Sequence, residues 1–423
     1  MNIGPIQIER QQRARMLRLK EAVLASFHEP APCIRARLGE FSASNWERAK
    51  YWLDVSGLAL YFLDQLIVLN LESCVPADFL SRLQKNLADN SQRTEDLFCE
   101  AAALASVLED QKIEFALLKG ITLPPESVHA FALRNQMDLD FLVRESDGDL
   151  VRNCLAKFGY SLHAVSGSTW EFKAGQSGTS TLKNLYQVRP ERSIEVHLIA
   201  KVKKKSDRLE RAQRRLIAGQ PFPALSPADL FVQQGRHLFK HMCGEYTRAS
   251  WVLEYWRHVC ARRNDVEFWR EVELIAAKEP EADLAIGAAT LMTSLVFGPF
   301  APRELLKWSM DRVPPAVCLW IQLYAKRLLF ADKPGSKLYL LLLKELNPHS
   351  EADSRVRRKL LFPTHCPPQI TRPERNEDLA GWLRRQRTQA RFVMQRLHFH
   401  AAEGAGLAVE SLRWQRRLTG VSQ

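Results

Sequence analysis

A chain patterned for helix along most of its length changes period between residues 111 and about 200, and that change limits the folds open to it. Upstream, "SNWERAKYWLDVSGLALYFLDQLIVLNL" and "VPADFLSRLQKNLADNSQRTEDLFCEAAALASVLEDQK" carry apolar residues at helical spacing, with Ser42 or Ser44 as a cap. From residue 113 the runs shorten. "IEFALLKG" reads as a strand ending in a Lys-Gly turn, and "DLDFLVR" as a second strand. "ESDGDLVRNCLAKFGY" reads as an amphipathic helix closed by Gly159 in a left-handed cap. "TSTLKNLYQV" and "RSIEVHLIA" read as a strand pair turning near Pro190 and Glu191. At "LSPADLFVQQGRHLFKHM" the helical pattern returns, with Ser226 as cap, Pro227 in the first helical position and Asp229 in the first turn. The expected fold class is α+β: a small mixed-sheet core at about 111–200, flanked by N- and C-terminal helical regions. The expected division is a helical region at 1–110, an α/β core at 111–218, a second helical region at 219–348, and a proline-rich linker with a basic tail at 349–423.

Inside that core, "LRNQMDLDFLV" sets Asp138 and Asp140 two residues apart on a strand, so both point to one face. Two carboxylates close to a core repel each other and resist desolvation. In "RSIEVHLIA", Ile194, Val196 and Leu198 share one face, and Glu195 and His197 share the other. Set beside the aspartates, that strand would bring a third carboxylate to the same place. Three carboxylates need a counter-charge, and Mg²⁺, hard and oxygen-loving, is the usual one, with substrate phosphates completing its shell. Gly120 permits a turn whose backbone N–H groups point at a phosphate, and Lys119 adds positive charge. Arg134, four residues before Asp138, either grips a phosphate through its guanidinium fork or neutralises the aspartates. His197 orients an acid, contacts phosphate, or is a hydrogen-bonded structural histidine.

The remaining features narrow the class less. At 423 residues the chain has room for two to three domains, and its net charge of +12 favours anionic partners without choosing among them. No apolar run reaches the roughly 18 residues of a membrane helix, and the N-terminus lacks a secretory stretch, so a cytoplasmic protein without a membrane span is expected. The eight cysteines show neither zinc nor CxxC spacing. His237 and His241, four apart on a helix, share a face that would suit a metal but for the lack of a third ligand. Asp147 and Asp149 read as helix-start residues. The basic run at 201–216, "KVKKKSDRLERAQRRL", reads as a solvated helix face or as a guide for a polyanion such as tRNA. The tail segment "WLRRQRTQARFVMQRL" reads as a surface helix able to touch nucleic acid or a membrane surface.

Taken together, "LLKGITL…ALRNQMDLDFLVRESDGDLVRNCLAKFGY…RSIEVHLIA" resembles the uncharacterised bacterial nucleotidyltransferase-like family, within the DNA polymerase β-type nucleotidyltransferase superfamily. The likeness covers roughly residues 45 to 280, with "NWERAKYWL" and "LSPADLFVQQGRHLFKHM" where that family has flanking helices. It implies a nucleotidyltransferase-type core in which Asp138, Asp140 and Glu195 are the metal-binding and catalytic carboxylates. Lys119 and Gly120 would form the turn that holds the triphosphate, with Arg134 and His197 beside it. The turn departs from the superfamily's usual Gly-Ser opening a helix, and the spacing from Gly120 to the aspartates is longer, which implies a different triphosphate geometry. The implied activity is transfer of a nucleoside monophosphate from a nucleoside triphosphate such as ATP, with two Mg²⁺ ions, to an acceptor hydroxyl with release of pyrophosphate. Small molecule, sugar, protein and RNA all stay open as acceptor. The alternatives are a catalytically inactive nucleotide-binding or interaction module, and a basic nucleic-acid-binding protein.

Overall fold

A computed structural model describes residues 5–175, 184–188, 191–200, 207–331, 335–346, 351–361 and 378–420. Among the described residues five α-helices precede the sheet: α1 (Pro5–Ala25), α2 (Ala31–Leu38), α3 (Ala43–Ser56), α4 (Ala59–Val68) and α5 (Ala77–Asp110). Ser42 caps α3, its backbone N–H donating to Asn45 Oδ1 at 3.1 Å. Gly57 ends α3 at φ 76°, a conformation glycine adopts without steric cost, so the apolar run 43–68 becomes two helices rather than one. The 34-residue α5 buries Phe79, Leu83, Ala101, Leu104 and Leu108 at the spacing its sequence carries.

The sheet follows, built from β1 (Phe115–Leu118), β2 (Leu139–Arg144), β3 (Ser161–Ser166), β4 (Thr169–Gly175), β5 (Glu191–Ile199), β6 (Gln213–Ile217) and β7 (Gln220–Ala224), with α6 (Gly148–Lys157) between β2 and β3. Among the described residues its seven strands run in the order β3-β4-β5-β2-β1-β7-β6. The β2–β5 and β1–β7 pairs are parallel and the others antiparallel, so the class is a mixed α+β fold. Two local expectations are corrected. The hairpin partner of β5 is β4, Thr169–Gly175, rather than "TSTLKNLYQV": residues 179–183 of that stretch lie outside the described residues, and 184–188 form turns. Nor is the basic run a helix face where it is described. Residues 201–206 lie outside the described residues, 207–211 turn, and Gln213–Ile217 is the edge strand β6. Ala218 and Gly219, at φ 48° and 80°, close the two-residue hairpin that returns the chain as β7.

Alternation along the central strands divides the sheet's two faces. Phe115, Leu117, Leu139, Phe141, Val143, Ile194 and Val196 pack into one core with Leu104 and Leu108 of α5 and Val151 and Leu155 of α6. Ala116, Leu118 and Leu142 face the other way, into a larger core shared by the N- and C-terminal helices. Full burial of one such leucine or phenylalanine is worth about 1.5–3 kcal/mol, so a one-residue register slip in β2 would be strongly opposed. The helices beyond the sheet are α7 (Pro227–Met242), α8 (Ala249–Ala261), α9 (Val266–Ala276), α10 (Ala282–Phe297), α11 (Arg303–Ser309), α12 (Pro315–Leu329), α13 (Tyr339–Leu346), α14 (Glu351–Leu361) and α15 (Leu379–Thr419). Ser226 caps α7 by accepting from the backbone N–H of Asp229 at 3.1 Å. Among the described residues no helix is long and apolar enough to cross a membrane, and the cysteines are free.

Candidate functional site

The β2–β5 register sets Asp140 directly beside Glu195, and Leu142 beside His197. Across β1–β2, Leu118 faces Asp140, so the residue that follows β1, Lys119, arrives over the same spot. Lys119 turns there at φ 51°, in the left-handed region, and opens a single 3₁₀ turn, Lys119–Thr122. Its Nζ donates to Asp140 Oδ1 at 2.6 Å and to Glu195 Oε2 at 3.1 Å, and lies 3.3 Å from His197 Nε2. His197 Nε2 is 2.9 Å from Asp140 Oδ1 and 3.4 Å from Glu195 Oε2, while its Nδ1 lies 3.1 Å from Thr169 Oγ1 of β4. Ligand atoms of Asp140, Glu195 and His197 fall within 4.8 Å of one another.

The charges at this spot are strongly interdependent. Burial works against the charged forms of Lys119 and His197, but contacts with Asp140 and Glu195 outweigh it, and both groups are held protonated to higher pH than usual. His197, and after it Lys119, hold Glu195 well below the usual carboxylate range against the opposing effect of burial. Asp138 is different. Burial first, and then the negative charges of Asp140 and Glu195, push it up to about 6. Among the described residues its carboxylate has no hydrogen-bond or ion-pair partner, although it stands at the rim of the same cavity.

That cavity, about 880 Å³, lies between the sheet and the C-terminal helices. Lys119, Asp138, Asp140, Glu195 and His197 form its sheet wall. Gln233, Arg236, His237, Lys240 and His241 of α7, with Trp251 of α8, form the opposite wall. Leu284, Leu343 and Leu346 supply an apolar end. Arg134 also lines it, and its ion-pair partner is Glu254 of α8, at 3.2 Å. Gly120 lies beneath that guanidinium: a Cβ there would come within 2.1 Å of Arg134 Nη1 and 2.3 Å of Gln136 Oε1. All seven residues singled out in the sequence for this site, Lys119, Gly120, Arg134, Asp138, Asp140, Glu195 and His197, therefore border one cavity.

His237 and His241 border it as well, their rings 4.5 Å apart, with His241 3.9 Å from the Trp251 ring. Burial holds His237 down at about 2 and His241 at about 4, so both are neutral at pH 7. Among the described residues they belong to no cluster of three metal-ligating groups. Asp147 and Asp149 lie at the start of α6. The sequence reading passed over Arg236, Lys240 and Trp251. The first two were discernible, since Gln233, Arg236, His237, Lys240 and His241 recur at helical spacing on one face of α7. Trp251 carried no such signal, because only tertiary packing turns it toward the carboxylates' cavity.

The donor set suits a hard divalent cation. Asp138, Asp140 and Glu195 offer carboxylate oxygens: Lys119 Nζ and the His197 ring contact the latter two, and no cation contacts the Asp138 carboxylate among the described residues. The opposite wall carries Lys240 and Arg236, the latter ion-paired with Glu279 at 2.6 Å.

A family model described as "Uncharacterised nucleotidyltransferase" matches residues 42–298, well over half the chain. Comparison with curated proteins gives no match. Among solved structures, an antigenic nucleotidyltransferase-like protein from Paracoccidioides brasiliensis is similar at 13% identity and a TM-score of 0.29, over 47% of this chain and 93% of that one.

Proposed function

Because this chain belongs to the uncharacterised nucleotidyltransferase family, we propose that it is a cytoplasmic, Mg²⁺-dependent enzyme of the DNA polymerase β type. It moves a nucleoside monophosphate from a nucleoside triphosphate, such as ATP, to an acceptor hydroxyl. In that transfer the acceptor oxygen bonds to the α-phosphorus, the bond from the α-phosphorus to the bridging oxygen breaks, and pyrophosphate leaves. The observation that carries the reading is the convergence of Asp138, Asp140, Glu195, His197 and Lys119 at one wall of a cavity large enough for a nucleotide.

Mg²⁺, as two ions held by Asp138, Asp140 and Glu195, would polarise the triphosphate and lower the pKa of the acceptor hydroxyl. Glu195, held ionised by His197 and Lys119, would serve as a metal ligand, since the contacts that keep it ionised also make it a weak base. His197, oriented through Thr169, fixes the Glu195 and Asp140 carboxylates in place. With a metal at the carboxylates, Lys119 would be free to meet the phosphates as a point charge, and Arg236 and Lys240 line the cavity from α7. The apolar end at Leu284, Leu343 and Leu346 leaves room for the acceptor.

One observation favours a second reading. Lys119 Nζ already satisfies Asp140 and Glu195, as suits a nucleotide-binding module without turnover. Thermal stability against a panel of nucleoside triphosphates, with and without Mg²⁺, tests the site for both. A Mg²⁺-dependent rise in Tm that is lost in Asp138→Asn/Asp140→Asn is the expected result. Pyrophosphate release then separates enzyme from binder. No Tm shift with any triphosphate would overturn both readings.

A further inference from the structure

The C-terminal helix α15 has two sides with opposite fates. Along one, Leu407, Glu410 and Trp414 are buried, Glu410 accepting from Tyr324 Oη at 3.2 Å and Glu345 accepting from Trp414 Nε1 at 3.0 Å. Arg396 faces the same way, stacked on Phe399 and 3.5 Å from Glu245. Along the other, Leu379, Leu383, Met394, Leu397 and Leu412 fall on one face by helical spacing and are all exposed, Met394 by 66% and Leu397 by 60%. Trp382, also exposed, lies at the margin of this stripe. Isolated exposed leucines need no explanation, but a stripe that follows a helix for most of its length does.

The charge beside the stripe restricts what can cover it. Between residues 379 and 402 there are five arginines and no acid. Arg384, Arg387 and Arg391 are exposed on the outward side. The neighbouring α14 repeats the combination: Val356 and Leu360, one turn apart, are exposed beside Arg358 and Lys359. Leu360 O accepts from Lys337 Nζ at 2.6 Å, which ties that helix to the body of the molecule. A second copy laid on this face would set arginine rows against each other with no carboxylate between 379 and 402 to relieve them. A nucleic acid would take the arginines but gain nothing from leucine and methionine. An anionic bilayer answers both: its phosphates and carboxylates meet the arginines, its acyl boundary takes the aliphatic side chains, and its interface suits the Trp382 ring.

We propose that α15 and the adjoining α14 form a peripheral docking face for anionic phospholipid, holding the protein against a membrane surface without crossing it. The test sediments the full-length protein with phosphatidylcholine vesicles, with and without phosphatidylserine, at low and high salt. Wild type is expected to bind the phosphatidylserine vesicles and to be released by salt. Met394→Glu/Leu397→Glu is expected to weaken that binding about tenfold or more, since two apolar side chains then fail to insert. Its melting temperature should stay at the wild-type value, because both positions are exposed. Absence of binding to phosphatidylserine vesicles at low salt would overturn the proposal, as would equal binding by the double variant. Sedimentation equilibrium supplies the remaining arm: a wild-type dimer that the double variant converts to monomer, with no vesicle binding, would assign the stripe to a second copy instead.

Discussion

Lys119 supplies the positive charge between two carboxylates. Its Nζ contacts the carboxylates of Asp140 and Glu195, groups from two adjacent strands that would otherwise repel each other across a parallel ladder. In Lys119→Met that counter-charge is gone while the length of the side chain is kept. Without metal the variant should lose about 1–2 kcal/mol of stability, below the figure for a fully buried pair because the lysine is partly exposed. Chemical denaturation with and without Mg²⁺ checks this: Mg²⁺ should return more stability to the variant than it gives the wild type. An equal Mg²⁺ increment in both proteins would mean that lysine and metal do not compete. Gly120 has a different task. An alanine there pushes into the ends of Arg134 and Gln136, so Gly120→Ala should cost about 1–2 kcal/mol in a thermal melt by displacing Arg134 from Glu254. The paired aspartates, Glu195 and His197 were legible because strand alternation has a period of two, and one look at the sequence shows which side chains share a face. The position of the Lys119 ammonium was not legible. It depends on the β1–β2 register and on a left-handed residue at the end of β1, neither of which a short apolar run discloses.

At the scale of elements, β1 and β2 were readable as short runs buried on both faces, and β5 by its alternation of polar residues with Ile194, Val196 and Leu198. The hairpin of β3 and β4 and the edge strand β6 were not. Most side chains of β3 are exposed, and β6 lies in a run of charge, so neither carries the pattern of a half-buried strand. Helix α7 was readable to its first turn, cap included, and it forms the wall facing the carboxylates. It also brings a pH dependence. His241 is held neutral at about 4 and His237 at about 2, whereas in the unfolded chain each titrates near its ordinary value of about 6.5. Below that value the unfolded chain binds more protons than the folded one, so stability is fully present above pH 6.5 and is lost as pH falls toward 4. His241→Gln should flatten this slope by about 1–2 kcal/mol across the window. Denaturant midpoints between pH 4 and 7 measure it, and an unchanged slope would show that His241 titrates normally in the folded protein.

For the whole molecule, the two cores on either side of the sheet explain why the cavity lies where it does. The face bearing Asp140, Glu195 and His197 is the one turned toward the C-terminal helices, so the carboxylates form one wall and α7 and α8 the other. A net charge of +12, with Arg236 and Lys240 on the cavity wall, should speed the arrival of a triphosphate. Stopped-flow association of a fluorescent nucleoside triphosphate should therefore slow as ionic strength rises, and a rate indifferent to salt would remove steering from the picture. The central claim, that the sheet-face carboxylates form a divalent-metal site, has a direct measurement in Mn²⁺ uptake, followed by loss of the free-ion paramagnetic resonance signal as protein is added. The expected result is saturable uptake by the wild type, abolished in Asp140→Asn and kept in His129→Gln, a change at an exposed histidine outside the cavity. Uptake that survives Asp140→Asn unchanged would contradict the claim and leave Lys119 as the site's permanent cation.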